Sequence, residues 1–303
     1  MYEMWLSQIP GVAAVPEEQD ALLGIDTDPA ELQGAQEYRE KIRTFEEELA
    51  AMRREQSSIQ RSFFEAAQIQ RRLCAPRQFH SAEFEVAGEI FPVRHLSGDF
   101  FKVLDLGQEV GIIVGDIAGK GLSAGIWMPH LLSLIHSCVK KCADPADALA
   151  AANHELCATS GEPPLAAVFL ARLDRETGEI TYCNAGLPSP LILQHDSGIV
   201  YLDAGGPMLG ATSALAFYAG TATMGSGDTL LACSDGVTEC ENPREQEFAL
   251  TGLAKAARAF AGGSASQTLF STLGAVLDFA DGRALRDDLT LLVARRTAAP
   301  ILH

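Results

Sequence analysis

The sequence predicts an α+β domain, a layered antiparallel sheet structure with helices outside, entered through one long N-terminal helix. Three observations predict it. Short apolar runs of strand length recur between Glu83 and Val293. Helical patterns come grouped between those runs. A seven-residue apolar repeat fills the segment before the first strand and stops at Pro76. The expected organisation is an irregular lead over residues 1–30, a linker helix over 31–75 and a folded domain over 76–303.

The lead carries Pro10, Gly11, Pro16, Gly24 and Pro29 with no sustained period. From Ala35 a heptad takes over. Ala35, Ile42, Leu49, Gln56, Phe63 and Gln70 form one series, and Tyr38, Phe45, Met52, Ile59, Ala66 and Leu73 the other. That alternation of three and four is the seam of a coiled coil. An amphipathic helix packed on its own domain would show a similar stripe. In a parallel dimer Lys41 faces Glu46 and Glu48 faces Arg53, and both pairs attract. The charges therefore favour a parallel homodimer through residues 35–73. Gln56 and Gln70 at seam positions weaken such a coil and fix its register.

After Pro76, strands are expected at Glu83–Phe91, Phe100–Leu106 and Val110–Asp116, then helices at Gly121–Val139 and Pro145–Ala158. Strands resume at Ala166–Leu173, Glu179–Asn184, Pro190–Leu193, Ala216–Met224 and Asp228–Cys233. The turn Asp174-Arg175-Glu176-Thr177-Gly178 fits a hairpin. Helices at Leu250–Phe260 and Ser266–Phe279 and a strand at Leu289–Val293 complete the set.

A formal net charge of -17 argues against nucleic acid and anionic membrane surfaces, which would repel it. The start Met1-Tyr2-Glu3-Met4-Trp5 lacks the basic and apolar regions of a signal peptide, and no apolar run reads as a membrane span. Cys74, Cys138, Cys142, Cys157, Cys183, Cys233 and Cys240 form no CxxC pair, and their odd number suits free thiols. A cytoplasmic setting is the expectation.

Four aspartates share one local grammar: each sits at the edge of an apolar strand beside glycine or another acid. They occur in Ser97-Gly98-Asp99-Phe100, Val114-Gly115-Asp116-Ile117-Ala118-Gly119-Lys120-Gly121, Cys233-Ser234-Asp235-Gly236 and Arg286-Asp287-Asp288-Leu289. An Asp-Gly pair alone is usually only a turn. Four in order within one domain is a different matter, because converging carboxylates repel unless cations neutralise them. Oxygen ligands without His or Cys suit Mg2+ or Mn2+ and not Zn2+, and such a site suits phosphoryl hydrolysis.

At these motifs the chain resembles the metal-dependent protein phosphatase (PPM) superfamily, in the branch of the stress-response phosphatase RsbU and the sporulation phosphatase SpoIIE. The likeness runs from about Glu65 to Arg296. It takes in Ala67-Gln68-Ile69-Gln70-Arg71-Arg72-Leu73, the motifs around Asp99 and Asp116, and Tyr182-Cys183-Asn184-Ala185-Gly186-Leu187-Pro188-Ser189-Pro190. Gly-Asp-Thr-Leu-Leu-Ala-Cys-Ser-Asp-Gly-Val-Thr-Glu at 227–239 and Asp-Asp-Leu-Thr at 287–290 complete it.

The resemblance implies a two-sheet antiparallel β-sandwich flanked by helices. It implies two divalent cations, Mn2+ or Mg2+, and catalysis centred on Asp116 and Asp235. Asp116 would bridge both cations, with the carbonyl of Ile117 adding a ligand. Asp235 and Asp287 would hold the first cation, and Asp99 would lie on the side of the second. Asp288, Lys120, Gly98 and Asn184 would support the ligands from behind, and Thr290 the last strand. Two departures stand out. Ser97 and Lys102 replace the first glycine and the last acid of a Gly-Gly-Asp-Phe-Tyr-Asp pattern, and Lys120 replaces a common histidine, leaving a water on the metal as the other proton donor for the departing serine.

The implied substrate is a phosphorylated regulatory protein, an anti-sigma-factor antagonist in a partner-switching pathway, with the coiled coil regulating the catalytic domain. The other reading is a binding module of the same fold that signals by association, with weak or no turnover. Three further signals are set aside. Gly115 to Gly121 is one residue short of a Walker loop and lacks Ser or Thr after Lys120. Gly205 to Gly210 reads as a turn between strands. His130 and His136 lie six apart, which does not place them on one helix face.

Overall fold

The structure, a computed structural model, describes residues 29–73, 78–94, 96–159, 161–260 and 262–297. Most of the expected N-terminal lead, and Pro76, fall outside those residues. The chain forms two compact units, residues 1–60 and 61–303. Helix α1 (Pro29–Leu73) has residues in both units, and its heptad seam is bare from Tyr38 to Ile59: Tyr38, Phe45 and Met52 are 63–70% exposed, and Ile42, Leu49 and Ile59 are exposed too, whereas Phe63, Ala66 and Gln70 are half-buried.

The second unit is built on two six-stranded sheets. The first holds β1 (Gln78–His80), β2 (Phe84–Phe91), β7 (Leu191–Leu193), β8 (Ile199–Tyr201), β11 (Thr229–Cys233) and β12 (Leu289–Arg296). Their order is β1-β2-β12-β11-β7-β8. The second holds β3 (Phe100–Asp105), β4 (Glu109–Ile117), β5 (Ala166–Asp174), β6 (Glu179–Ala185), β9 (Gly205–Gly206) and β10 (Gly220–Thr223). Its order is β10-β6-β5-β4-β3, with β9 parallel beside β6. Every other pairing is antiparallel.

Period-2 alternation sorts the side chains into layers. On β4, Ile112 and Val114 face the other sheet and meet Phe101, Phe169, Leu230 and Leu292. Ile113 points the other way, to Met128, Leu131 and Ile135 of α2 (Leu122–Lys141) and Leu149 of α3 (Pro145–Ala158). The outer face of the first sheet, through Leu231, Leu291 and Val293, is covered by α5 (Ala249–Arg258) and α6 (Ala265–Ala280), which supply Leu253, Leu269 and Leu273. Strands covered on both faces read as unbroken apolar runs, as Gly111-Ile-Ile-Val114 and Leu291-Leu-Val-Ala294 do. Each fully buried Leu, Ile or Phe contributes about 1.5–3 kcal/mol, so these three layers hold the frame on which the acidic loops sit.

Several expectations change. Residues 216–219 are not a strand: Tyr218 N–H donates to Gly205 O, Phe217 packs into the helix-side core, and the ladder begins only at Gly220. The glycines at 205 and 206 pair with Asn184 and Ala185 as a short strand, so only the rest of that stretch is turn. Strands β1 and β8 and the short helix α4 (Asp235–Thr238) lack a period long enough to read. Helix α2 is long and apolar enough, by length and composition, to cross a membrane. Here Ala124, Met128, Leu131, Leu132, Ile135, Cys138 and Val139 on it are buried against the second sheet and α3.

Candidate metal centre

The four aspartates arrive from both sheets at one end of the sandwich. Asp99 immediately precedes β3 and Asp116 is the last residue but one of β4. Those strands are neighbours, with Phe100 opposite Gly115, so the register sets the two carboxyl groups side by side. Asp235 begins α4 at the end of β11, and Asp287 lies two residues before β12. Cys233 pairs with Leu291, which brings those two chain segments together on the first sheet.

Close approach is enforced by glycine. A Cβ on Gly98 would lie 2.8 Å from the carbonyl oxygen of Ile117, and one on Gly236 would lie 2.1 Å from Asp288 O. Both positions need the missing side chain so that acidic loops can pack on backbone.

The electrostatics record the crowding. Asp99 is 3% exposed, and burial, then the neighbouring charge of Asp116, pushes its carboxyl well above the ordinary range. The hydroxyls of Thr290 and Ser234 and the carboxyl of Asp116 close around it, yet Asp99 Oδ2 is buried without a hydrogen bond. Burial lifts Asp116 to about 6, with the charges of Asp235, Asp287 and Asp288 adding to the rise. Burial and Asp287 raise Asp235 as well. An orphaned buried carboxylate oxygen among four acids is a donor set that suits a hard divalent cation. Among the described residues no three acids, His or Cys close around one point. Asp116 lies close enough to Asp99 to raise its carboxyl, and Asp287 Oδ2 meets Lys120 Nζ at 2.6 Å.

The supporting residues divide. Lys120 also donates to Arg286 O at 2.7 Å, which places its ammonium at the rim beside Asp287. Asp288 turns away from the other acids: its Oδ1 accepts from Val93 N at 2.7 Å and its Oδ2 from Ser97 Oγ at 2.6 Å. The Asn184 side chain donates to Leu187 O and accepts from Leu187 N, so it shapes its own turn. Three residues have a part at the site that the sequence did not assign them. Ser234 Oγ accepts from Thr290 N at 3.1 Å, locking α4 to β12. Ser97 and Gln70 are joined by two hydrogen bonds. Gln70 carries no local signal beyond its polar place in an apolar seam. Beside Asp287 opens a cavity of about 240 Å3, lined by Lys120, Gly236, Glu239, Arg283 and Arg286.

A pH signature follows. Asp116 holds its proton more tightly in the fold, near 6 against an ordinary 3.8, so the metal-free fold loses stability as pH rises through that window. A shift of that size is worth roughly 3 kcal/mol at full effect. In chelator, the melting temperature is expected to fall between pH 5 and pH 7.5. Added Mn2+ should restore several degrees at pH 7.5 and far less at pH 5, as differential scanning fluorimetry would show. A Mn2+ effect equal at both pH values would count against crowded carboxylates as its cause.

Comparison with known proteins bears on the family and the fold. The family model described as Stage II sporulation protein E (SpoIIE) matches residues 107–297. The Phosphoserine phosphatase RsbU of Bacillus subtilis (strain 168) is 24% identical over 239 residues, covering 76% of this chain and 69% of that protein. The solved RsbU and RsbW domains of Rv1364c from Mycobacterium tuberculosis superpose with a TM-score of 0.62 at 26% identity. The match covers 71% of this chain and 60% of that one. The SiaA-PP2C domain of Pseudomonas aeruginosa gives a TM-score of 0.69 at 18% identity over 79% of this chain and 98% of that domain. With the two-sheet frame in place and a family model matched over more than half of its length, the chain belongs to the SpoIIE family, in the RsbU/SpoIIE-like branch of the PPM superfamily.

Proposed function

We propose that this chain is a Mn2+- or Mg2+-dependent protein phosphatase that hydrolyses phosphoserine or phosphothreonine on a regulatory protein. The observation that carries the reading is the arrival of Asp99, Asp116, Asp235 and Asp287 at one end of the sandwich, with Asp99 Oδ2 buried and unpartnered. These four carboxylates and the Ile117 carbonyl would hold the cations. Bound there, the cations supply charge neutralisation for the phosphoryl group and acidify a water. The protein supplies the rest. Two rigid sheets fix the carboxylates, and the rim cavity gives room for chain flanking the phosphorylated residue. Lys120 presents an ammonium beside Asp287, where it can orient a phosphoryl oxygen or the departing serine oxygen.

RsbU bears the name of a phosphoserine phosphatase, and one structural relative joins an RsbU domain to an RsbW domain. Both support a partner-switching substrate, a phosphorylated anti-sigma-factor antagonist. Hydrolysis of p-nitrophenyl phosphate and of a phosphoserine protein, with and without Mn2+, tests the reading. No turnover at millimolar Mn2+ would favour a binding module. A Lys120→Ala variant with an unchanged pH–rate profile would remove Lys120 from proton transfer.

The heptad seam of α1, bare from Tyr38 to Ile59, supports a parallel homodimer through residues 35–73 as the regulatory element. Dimer geometry would then bias the pose of the helix ending near Leu73. The full chain should sediment as a dimer, and Leu49→Glu with Met52→Glu should sediment as a monomer. A wild-type monomer at tens of micromolar would end this part of the proposal.

A further inference from the structure

The two sheets each give the metal centre a pair of aspartates, so their separation must be set by something that crosses between sheets. The crossing segment is the loop over residues 92–99, which leaves β2 on the first sheet and enters β3 on the second. Ser97 is its hub and is only 4% exposed. Its Oγ donates to Asp288 Oδ2 at 2.6 Å and accepts from Asp99 N at 3.0 Å. Its N–H donates to Gln70 Oε1 at 3.1 Å, and its carbonyl accepts from Gln70 Nε2 at 2.8 Å. Gln70 Nε2 also reaches Gly125 O at 3.3 Å, while Asp288 Oδ1 takes Val93 N at the other end of the loop.

We propose that Ser97 is a positioning residue of the metal centre, acting with Asp288 and Gln70 to set the spacing between the Asp99–Asp116 pair and the Asp235–Asp287 pair. The inference rests on the metal-dependent reading above. One hydroxyl joins the residue after Asp287 to the backbone of Asp99, so it spans the gap between the two sheets' ligands directly. The bond ends on a carboxylate, which makes it stronger than a neutral one and harder to replace by water in a buried place. Outer partners of this kind commonly change metal affinity 10–100-fold when removed. A glycine at position 97 could not form the tie, so the device belongs to the serine.

A role in packing alone predicts something different: lower thermal stability with unaltered metal affinity. The test is Mn2+ titration by isothermal calorimetry on the full chain, with Asp235→Asn as the reference for a damaged site. Ser97→Ala and Asp288→Ala are each expected to weaken Mn2+ binding about 10-fold. The double variant should be little worse than either single one, because both remove the same hydrogen bond. Ser97→Thr, which keeps the hydroxyl, should stay within about threefold of wild type, and Gln70→Ala should shift affinity in the same direction as Ser97→Ala. At saturating Mn2+ the KM for p-nitrophenyl phosphate should be unchanged. Single variants that melt lower yet bind Mn2+ as wild type does would overturn the inference and leave Ser97 a packing residue. Additive losses in the double variant would also overturn it. Wild type that binds no Mn2+ would instead bring down the metal-dependent reading itself, and this inference with it.

Discussion

Asp116→Asn is expected to lower turnover by at least about 10^3-fold at saturating Mn2+, roughly 4 kcal/mol of transition-state stabilisation. The residue occupies the middle of the acidic set: it neighbours Asp99 and feels the charges of Asp235, Asp287 and Asp288. An amide there keeps the shape and removes the negative charge the cations need. The same substitution should act oppositely on stability. Wild type keeps a carboxylate at pH 7.5 that burial and three neighbouring acids disfavour, so the metal-free variant should melt several degrees higher than metal-free wild type. Opposed changes in activity and stability are the mark of a site strained for function. Steady-state kinetics with a phosphoserine protein and melting in chelator give both numbers. Activity within tenfold of wild type would show that the hydrolytic centre lies elsewhere.

Phe100→Ala is expected to destabilise the fold by about 3–5 kcal/mol. Phe100 is fully buried on the helix-facing side of the second sheet, among Ile113, Met128 and Leu131. Its ring lies over Gly115, its cross-strand partner, where an added Cβ would come within 2.2 Å of the ring. Glycine opposite phenylalanine means that the ring covers backbone no other side chain can reach. Removing it opens a cavity and exposes the ladder between the two strands that carry Asp99 and Asp116. For a domain of this size the melting temperature should fall roughly 10 °C. A fall under about 3 °C would mean that neighbouring side chains collapse into the space. The metal centre should loosen in parallel, since Asp99 is the next residue along the chain.

Much of this architecture was written locally. Val110 to Asp116, Ala166 to Leu173 and Asp228 to Cys233 announce strands because each is a short, β-branched or apolar run ended by a turn residue. The four aspartates stood out because the same strand-edge setting recurred four times. What escaped notice depends on partners far along the chain. Strand β9 is two glycines made into a strand only by β6. Residues 216–219 have strand composition, but the stretch of β6 that they would extend along is already paired with β9. Gln70 reads as a weak point in an apolar seam, and only folding shows its amide reaching Ser97 and Gly125. The pairing of Lys120 with Asp287 joins residues far apart in sequence, which no periodicity encodes.

The placement of β12 between β2 and β11 bears on how the protein is born. A chain emerging from the ribosome can form the second sheet early, with Asp99 and Asp116 in place. The first sheet stays split, with two open strand edges, until its last strand has been made. The roughly 190 residues that separate Asp99 from Asp287 take about 10–40 s to synthesise at ordinary rates. Through that interval the nascent chain exposes strand edges prone to wrong pairing. The final strand therefore closes the sheet and brings Asp287 to the other three aspartates in one event.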